Sequence, residues 1–260
     1  MGLLNQLQNT IDNYFKGKSK TSIYLTYVVV NVVLMLVLFY VVLNNYAYDY
    51  TGQMYPEGSG FNLATGLDLA IPFIPQTVVF YVYLFYPLSM LTMAYFGFVE
   101  YKKGYALGLA LIAINAIAVA IYAVFPVSTF WYRQDLLAHP LTGNFWADQV
   151  YNIFANDTSF NCFPSLHAAV STICAYTWFR YEKIKPNKAI KTIAAATIVI
   201  AIGVVLSTLF VKQHYIADEI AGVALALIVG KVVFNKFWKK QEKVKPQLEE
   251  HVGFRKGLRQ

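Results

Sequence analysis

Charged side chains are scarce in this chain. They make up 13% of its 260 residues, while hydrophobic side chains make up 57%; a typical soluble domain carries about 25% charged residues. Mean hydropathy is correspondingly high, at +0.45. The composition therefore argues against a water-soluble fold.

Cysteine is also scarce. Only Cys162 and Cys174 occur in the chain, which is too few for a disulfide framework. No pair of cysteines or histidines within one segment has the spacing of zinc ligands. We therefore predict neither a disulfide-stapled fold nor a metal site, and we expect no cofactor.

Long apolar runs are abundant instead. A helix needs about 20 residues to cross a hydrocarbon core about 30 Å thick, and Pro87 is expected to bend one of these runs. We predict an all-α polytopic membrane protein with a six-helix transmembrane bundle in residues 22–234. The six predicted spans are Ser22–Leu43, Gln76–Val99, Gly104–Phe125, Ser165–Phe179, Ile190–Val211 and Ile216–Phe234.

The basic residues indicate how such a bundle is oriented. The net charge of +7 would suggest a nucleic-acid partner for a soluble protein, but 19 of the 21 Lys and Arg residues flank the spans on one side. Only Arg133 and Lys212 fall on the other side. The positive-inside rule then predicts that both termini are cytoplasmic, and we expect no nucleic-acid partner.

Two terminal segments flank the predicted bundle. Residues 1–21 carry apolar side chains at helical spacing, which predicts an amphipathic helix on the cytoplasmic surface, and residues 235–260 form a basic cytoplasmic tail. The first apolar run is too long for a signal peptide, so we interpret it as an uncleaved span. On the outer side, Asn44–Pro75 and Pro126–Pro164 are expected to form the mouth of the bundle.

Two polar clusters stand out at the outer ends of the spans. His167 follows Pro164-Ser165-Leu166 at the start of the fourth span, where the free N–H groups of a helix N-terminus favour an anion such as phosphate. His214 and Asp218 are four residues apart, so on a helix they would share one face. The carboxylate could then hold one imidazole nitrogen and leave the other free for nucleophilic attack.

The predicted topology brings these groups to the same side of the membrane. Two imidazoles (His167 and His214), the carboxylate of Asp218 and the cations Lys212 and Arg133 would all lie at the outer face. Phosphoryl transfer through a phosphohistidine needs such a set.

Each of these residues also has an ordinary interpretation. A single histidine at a membrane boundary is commonly an interfacial residue, Asp218 could merely cap the sixth helix, and Arg133 could be a loop charge. The joint spacing favours the catalytic interpretation. His139 and His251 lack such partners and are interpreted as surface residues, and Glu219 is interpreted as structural.

The motifs resemble those of the membrane-bound type 2 phosphatidic acid phosphatase superfamily. Its core motifs read Pro-Ser-Gly-His and Ser-Arg, five residues, His, three residues, Asp; this chain has Pro-Ser-Leu-His and keeps the second spacing from Ser207 to Asp218. The Leu166 form and the Lys-Gln-His-Tyr sequence are most similar to the inositol phosphorylceramide synthase-like branch. The resemblance covers roughly Asp68 to Gly230.

The resemblance implies a role for each motif residue. His214 would be the nucleophile, Asp218 its orienting partner, and His167 the acid that protonates the leaving alkoxide. Ser165 and Lys212 would hold phosphate oxygens.

Two departures from the family pattern affect the expected cations. Thr208 stands where the family has Arg, and the family's first motif, a Lys six residues ahead of Arg-Pro, is absent. Arg133, which is followed by Gln134 rather than Pro, is taken as the substitute for that cation.

These observations predict a metal-independent enzyme that acts on a lipid phosphate partner in the membrane. The first hypothesis is a lipid phosphate or diphosphate phosphatase of the cell membrane, with its active site on the non-cytoplasmic side. The alternative is a phosphotransferase, in which a lipid or polyol hydroxyl replaces water. A transporter is a distant third, because transporters place their polar groups at mid-membrane. Assembly into a homo-oligomer is left open.

Overall fold

The computed structural model describes residues 2–37, 55, 59–157 and 159–238. Regular structure in these residues is helical, and the only β-type pairing among them consists of isolated bridges at Phe61, Val127 and Asn161. The α-helices are α1 Gly2–Phe15, α2 Lys20–Val37, α3 Gly66–Ala70, α4 Phe85–Ala94, α5 Tyr101–Val124, α6 Phe130–Ala138, α7 Phe145–Asn156, α8 Leu166–Ile184, α9 Lys188–Phe210 and α10 Ile216–Phe237. The predicted all-α class is therefore confirmed.

Three helical stretches are long and apolar enough to cross a membrane. They are Pro75–Val99, Tyr101–Val124 and Lys188–Phe210, which match the second, third and fifth predicted spans. The helices α8 and α10 occupy the fourth and sixth spans but carry more polar side chains, several of them buried inside the bundle. Buried polar groups are tolerated in a span when they face other helices, and the six-span count stays a prediction.

The N-terminal part of the chain is described as far as residue 37. The helix predicted within residues 1–21 is confirmed as α1, and its Leu7 and Ile11 pack against the core of the bundle. The first predicted span begins with α2, whose apolar stretch is Thr21–Val33. The rest of that span and residues 239–260 of the predicted tail lie outside the described residues.

The stretch around Pro87 is not one uniform helix. It consists of a 3-10 turn at Pro75–Thr77, π turns at Val79–Leu84 and Tyr95–Val99, and α4 between the two π turns. Pro87 lies in the first turn of α4, where a missing backbone donor costs little. The irregularity therefore falls just before the proline, in the π turn that ends at Leu84.

The helix α8 occupies the centre of the bundle. It packs against α9 and α10, and its Trp178 Nε1 donates a 3.0 Å hydrogen bond to Thr92 Oγ1 of α4. Its N-terminus lies against Gly222 of α10, where an added Cβ would come within 2.3 Å of the Ser165 carbonyl oxygen. This close approach brings the starts of α8 and α10 together.

The two segments predicted to lie on the outer side, here called the outer segments, are tied to these helix starts. Phe61 pairs with the backbone of Pro126 and Ser128, so the two outer segments pair through their backbones. Asp68 of α3 accepts a 2.7 Å hydrogen bond from the backbone N–H of Ile216 at the start of α10. The segment that contains α3 therefore anchors the N-terminus of α10 directly.

Candidate active site

Ser165 and Pro164 hold the start of α8 in place. Ser165 Oγ accepts a 3.2 Å hydrogen bond from the N–H of Ala168, which is the N-cap arrangement, and the Pro164 carbonyl accepts 2.8 Å from Tyr122 Oη. The N–H of Ser165 donates to the Asp218 carbonyl at 3.0 Å. His167 is thereby fixed in the first turn of α8, immediately beside α10.

His214 lies in the short connection between α9 and α10, before the helix begins at Ile216. The expected pairing of His214 and Asp218 along one helix face is therefore wrong in its geometry. Asp218 instead reaches back from the first turn of α10, where its Oδ2 accepts 2.9 Å from the N–H of Tyr215 and lies 3.4 Å from His214 Nδ1. One carboxylate both caps the helix and contacts the imidazole.

The two histidines meet across the starts of α8 and α10. His167 Nδ1 lies 3.4 Å from His214 Nε2, and the Tyr81 and Phe85 rings pack against the His167 ring at centroid distances of 4.5 and 5.1 Å. Asp218 thus contacts one nitrogen of His214, while the other nitrogen faces His167. An orienting carboxylate, a nucleophile and a proton donor would be arranged in this order.

The electrostatic surroundings favour a positive charge on His214. Burial by itself lowers the pKa of His214, but the carboxylates of Asp218 and Glu219 outweigh it and raise the pKa above the usual 6.5. The same carboxylates would stabilise the positive charge of a phosphorylated imidazole.

Both histidines line a cavity of about 430 Å³. None of the described residues that line it is Lys or Arg. Apart from the histidines and Asp157, its polar lining is uncharged amides and phenols. The full lining is Tyr81, Val82, Tyr86, Tyr122, Gln149, Asn152, Ile153, Asn156, Asp157, Asn161, Leu166, His167, Gln213 and His214.

Lys212 does not line this cavity. It adopts a positive φ of 61°, and its Nζ donates hydrogen bonds to the carbonyls of Asp68 and Ile71 in a neighbouring pocket that also contains Tyr132 and Asp135. Burial lowers the pKa of Lys212, and Asp68 partly offsets this effect. Among the described residues, the structure does not bring Lys212 and the two histidines into one site.

Arg133 lies behind the cavity wall. Its side chain is 6% exposed, its Nη2 donates 2.7 Å to Gln213 Oε1, and its Nη1 donates 2.5 Å to the Asp157 carbonyl. Its Nη2 also lies 3.7 Å from the Asp157 carboxylate. Since Gln213 and Asp157 line the cavity, Arg133 contacts the site through them.

Gln213 was not singled out from the sequence, yet it lies beside the nucleophile candidate. It is 2% exposed, its Oε1 is occupied by Arg133, and its Nε2 has no hydrogen-bond partner among the described residues. A buried donor without a partner is costly, and a phosphate oxygen in the cavity would satisfy it. Gln213 belongs to the Lys-Gln-His-Tyr sequence that carries part of the family resemblance, but nothing in that sequence assigns it a role.

Comparison with known proteins identifies the family. A family model described as the PAP2 superfamily matches residues 69–232 of the 260. The chain belongs to the PAP2 superfamily. Its members are phosphatases, and together with the apolar helices this membership makes the chain a membrane protein. Neither the curated proteins nor the solved structures gave a match.

The family match confirms the resemblance seen in the motifs, without specifying the branch. The matched region contains every site residue predicted from the sequence. These residues are Arg133, Ser165, His167, Lys212, His214 and Asp218.

The PAP2 departure at Thr208 has a structural counterpart. Thr208 Oγ1 donates a 2.9 Å hydrogen bond to Glu219 Oε1, and both residues are buried. Glu219, interpreted from the sequence as structural, therefore links the first turn of α10 to α9, immediately after Asp218 in the chain. A neutral hydroxyl and a carboxylate stand here in place of the family's arginine.

One group of possible metal ligands lies at the PAP2 site. Ligand atoms of Cys162, His214 and Asp218 lie within 4.8 Å of one another among the described residues. Cys162 comes from a different segment than His214 and Asp218, which is why spacing within one segment could not reveal the group. A metal ion there would engage the His214–Asp218 pair, so it would compete with the orienting contact.

Proposed function

We propose that this PAP2 member hydrolyses a lipid phosphate or diphosphate through a phosphohistidine on His214. A chain of two contacts beside one cavity carries the proposal. Asp218 lies 3.4 Å from His214 Nδ1, and His214 Nε2 lies 3.4 Å from His167 Nδ1. Both histidines line the cavity. This is the arrangement of an oriented nucleophile next to a general acid.

The reaction would proceed in two halves. In the first, His214 Nε2 attacks phosphorus, the P–O bond to the lipid breaks, and His167 gives its proton to the leaving alkoxide. In the second, His167 takes a proton from water, the hydroxide oxygen attacks phosphorus, and the P–N bond breaks to release phosphate. Asp218 would hold the imidazole orientation throughout and balance its positive charge.

Phosphate oxygens would be held mainly by neutral donors. The first-turn N–H groups of α8 point out of the helix N-terminus, and the Nε2 of Gln213 supplies a further donor. Arg133 would act by fixing Gln213, while Ser165, as the N-cap of α8, would hold that helix start in place. Lys212 would contribute only a longer-range charge.

The proposed location of the reaction is the outer face of the cell membrane. Six spans with cytoplasmic termini would bring the starts of α8 and α10 to the outer headgroup region, where a lipid phosphate lies. The positive-inside pattern of the basic residues supports this orientation.

The test is release of inorganic phosphate from lipid phosphates and diphosphates in detergent with EDTA. We expect chelator-resistant release by the wild type and a loss of about 10³-fold or more in His214→Ala. His139→Ala is the matched control, because His139 also has an aspartate four residues away but is 83% exposed. Full turnover by His214→Ala, or loss of turnover with EDTA alone, would refute the proposal.

A phosphotransferase is the second candidate, and it shares the first half-reaction. In the second half an alcohol, rather than water, would attack the phosphohistidine. The uncharged polar wall of the cavity favours this candidate, because such a wall is suited to binding an alcohol.

A further inference from the structure

A narrow apolar groove runs along the bundle where α8, α9 and α10 meet. Its volume is about 350 Å³, its floor lies on α8 within residues 172–179, and its walls lie on α9 within residues 198–206 and on α10 within residues 223–227. Among the described residues that line it, only Thr172 and Tyr176 carry a polar side-chain group. None of its lining residues belongs to the cavity of the two histidines. The groove is therefore a separate feature of the bundle.

The groove opens onto the apolar outside of the bundle and has the dimensions of an acyl chain. Along its walls Ile202 is 55% exposed and Leu227 is 43% exposed. Over residues 172–179 a helix rises about 10 Å, and the hydrocarbon of one leaflet is about 15 Å deep. A helix about 10 Å across would need roughly 800 Å³ over that length. The space therefore suits one lipid chain better than a helix of another protein.

All three helices carry basic side chains just beyond the same end of the groove. These residues follow lining residues by four positions along α8 and α10, and they precede a lining residue by seven positions along α9, which runs in the opposite direction. Both spacings keep a side chain on the same helix face. The set, here called the cationic end, consists of Arg180 and Lys183 of α8, Lys191 of α9 and Lys231 of α10.

Arg180 is held in place at this end of the groove. Its Nη1 donates hydrogen bonds of 3.2 Å to Tyr176 Oη and 3.0 Å to Asn235 Oδ1. Tyr176 lines the groove, so the guanidinium lies directly beside it. The other N–H groups of Arg180 make no hydrogen bond to a described residue. They are available to an anion, and a guanidinium can bind phosphate through two parallel hydrogen bonds.

Carboxylates do not neutralise the cationic end. Residues 180–191 contain five Lys and Arg residues but one acidic residue, Glu182, which pairs with Lys183 at 3.0 Å. Lys191 and Lys231 are exposed and form no ion pair with a described residue. Long basic side chains at a helix end can keep their charge in the headgroup region, and basic pockets between membrane helices bind anionic headgroups.

We propose that the groove and the cationic end together bind one anionic phospholipid, with an acyl chain along α8 and the phosphate at Arg180. Sixteen residues of α8 separate Lys183 from His167, which is about 24 Å along the helix, so this lipid is not the one that His214 attacks. In the orientation proposed above, it belongs to the cytoplasmic leaflet. The inference does not depend on the phosphohistidine chemistry.

Native mass spectrometry of the full chain in detergent tests the site by counting bound lipids. Dioleoyl phosphatidylserine is the anionic probe, and dioleoyl phosphatidylcholine has the same acyl chains without net charge. His214→Ala is the parent protein, so that turnover cannot consume either lipid. The readout is binding, so the result holds whether or not the enzyme hydrolyses lipid phosphates.

Two pairs of variants separate charge from groove. Three cations of the cationic end are removed in Arg180→Gln/Lys183→Gln/Lys231→Gln, and three exposed cations elsewhere are removed in the matched control Lys16→Gln/Lys18→Gln/Lys102→Gln. The groove is filled by Val223→Phe, whereas Val232→Phe adds the same bulk at a 52% exposed position of α10 outside the groove.

We expect the parent to bind one phosphatidylserine about tenfold or more tighter than phosphatidylcholine. The charge variant should lose about tenfold or more in affinity for phosphatidylserine only, and Val223→Phe should lose about tenfold for both lipids, because the acyl chain is excluded. Both control variants should stay within about twofold of the parent. Circular dichroism and gel filtration check that each variant is folded, and the Val223→Phe pair alone decides the matter if the charge variant is not.

Three results would overturn the inference. The first is equal affinity of the parent for the two lipids, and the second is an equal loss of phosphatidylserine binding in the two triple variants, which would mean diffuse attraction to a basic surface. The third is unchanged lipid binding by Val223→Phe. If that variant instead breaks a dimer of the parent that carries no lipid, the groove belongs to a second copy of the chain and the lipid site is excluded.

Discussion

Two pockets lie on either side of the connection between α9 and α10, and they differ in charge. The cavity of the two histidines contains Gln213 and His214 and is lined by no Lys or Arg of the described residues, whereas the neighbouring pocket contains Lys212 and Tyr215. Adjacent residues of one short connection therefore face different spaces. The comparison teaches that proximity in sequence does not make Lys212 part of the histidine site.

The largest effect is expected from Asp218, which contacts His214 Nδ1. Asp218→Asn keeps an acceptor for the helix cap but removes the charge, and we expect activity to fall by about 10³-fold or more. In the wild type, kcat/KM should rise with pH through a midpoint above 6.5, because His214 attacks in its neutral form and its pKa is raised.

The pH profile of Asp218→Asn should move in a defined direction. Burial lowers the pKa of His214, and without the Asp218 carboxylate less opposes that effect, so the pKa should fall and the rising limb should shift to lower pH. A residual activity whose rising limb stays in place would show that another group titrates. Rate profiles of kcat/KM across pH provide the measurement.

His167 should show an effect that depends on the leaving group. With a lipid phosphate, His167→Ala should lose about 10²- to 10⁴-fold in kcat/KM, which reports the phosphorylation half-reaction, since the alkoxide needs a proton. With p-nitrophenyl phosphate, whose leaving group departs without a proton, the loss in kcat/KM should be much smaller. Equal losses for both substrates would place His167 in binding rather than in proton transfer.

Gln213 tests whether a neutral donor supports the phosphoryl group. Gln213→Glu keeps an oxygen for Arg133 but removes the Nε2 donor, and we expect kcat to fall by about 10²-fold. Gln213→Asn retains an amide, so it should recover part of the activity. If the glutamate variant were as active as wild type on phosphatidic acid, the donor role would be excluded.

The smallest effect is expected from Lys212, in the other pocket. Lys212→Met removes hydrogen bonds to the carbonyls of Asp68 and Ile71, so thermal stability should decrease, while kcat/KM of the folded enzyme should change by less than about threefold. A loss of about 10²-fold in kcat/KM with unchanged thermal stability would contradict this expectation and show that Lys212 takes part in binding phosphate.

Much of the fold could be predicted because its determinants are local. Apolar runs and helix periodicity placed α5, α9 and α10 within a few residues of their positions, and the Ser165-Leu166-His167 sequence marked the start of α8. The interruption before Pro87 was predicted only as a bend, because the formation of π turns depends on packing against neighbouring helices.

The site could be predicted only in part. Histidines and a carboxylate in motif spacing are rare in an apolar chain, so His167, His214 and Asp218 could be recognised. Gln149, Asn152 and Gln213 could not, since amides in loops and on surface helices are common. The place of Gln149 and Asn152 in the cavity depends on how α7 packs beside the histidines, and that of Gln213 on the path of the connection between α9 and α10.

The sequence by itself determined the apolar helical class, the superfamily and the three residues that would carry the chemistry, because periodicity, charge placement and motif spacing are properties of the chain alone. Only the tertiary structure decided which side chains share the cavity. The positive φ of Lys212 turns it toward Asp68, and the capping of α10 brings Asp218 back to His214. Such choices depend on contacts between segments far apart in the chain, which no local pattern records.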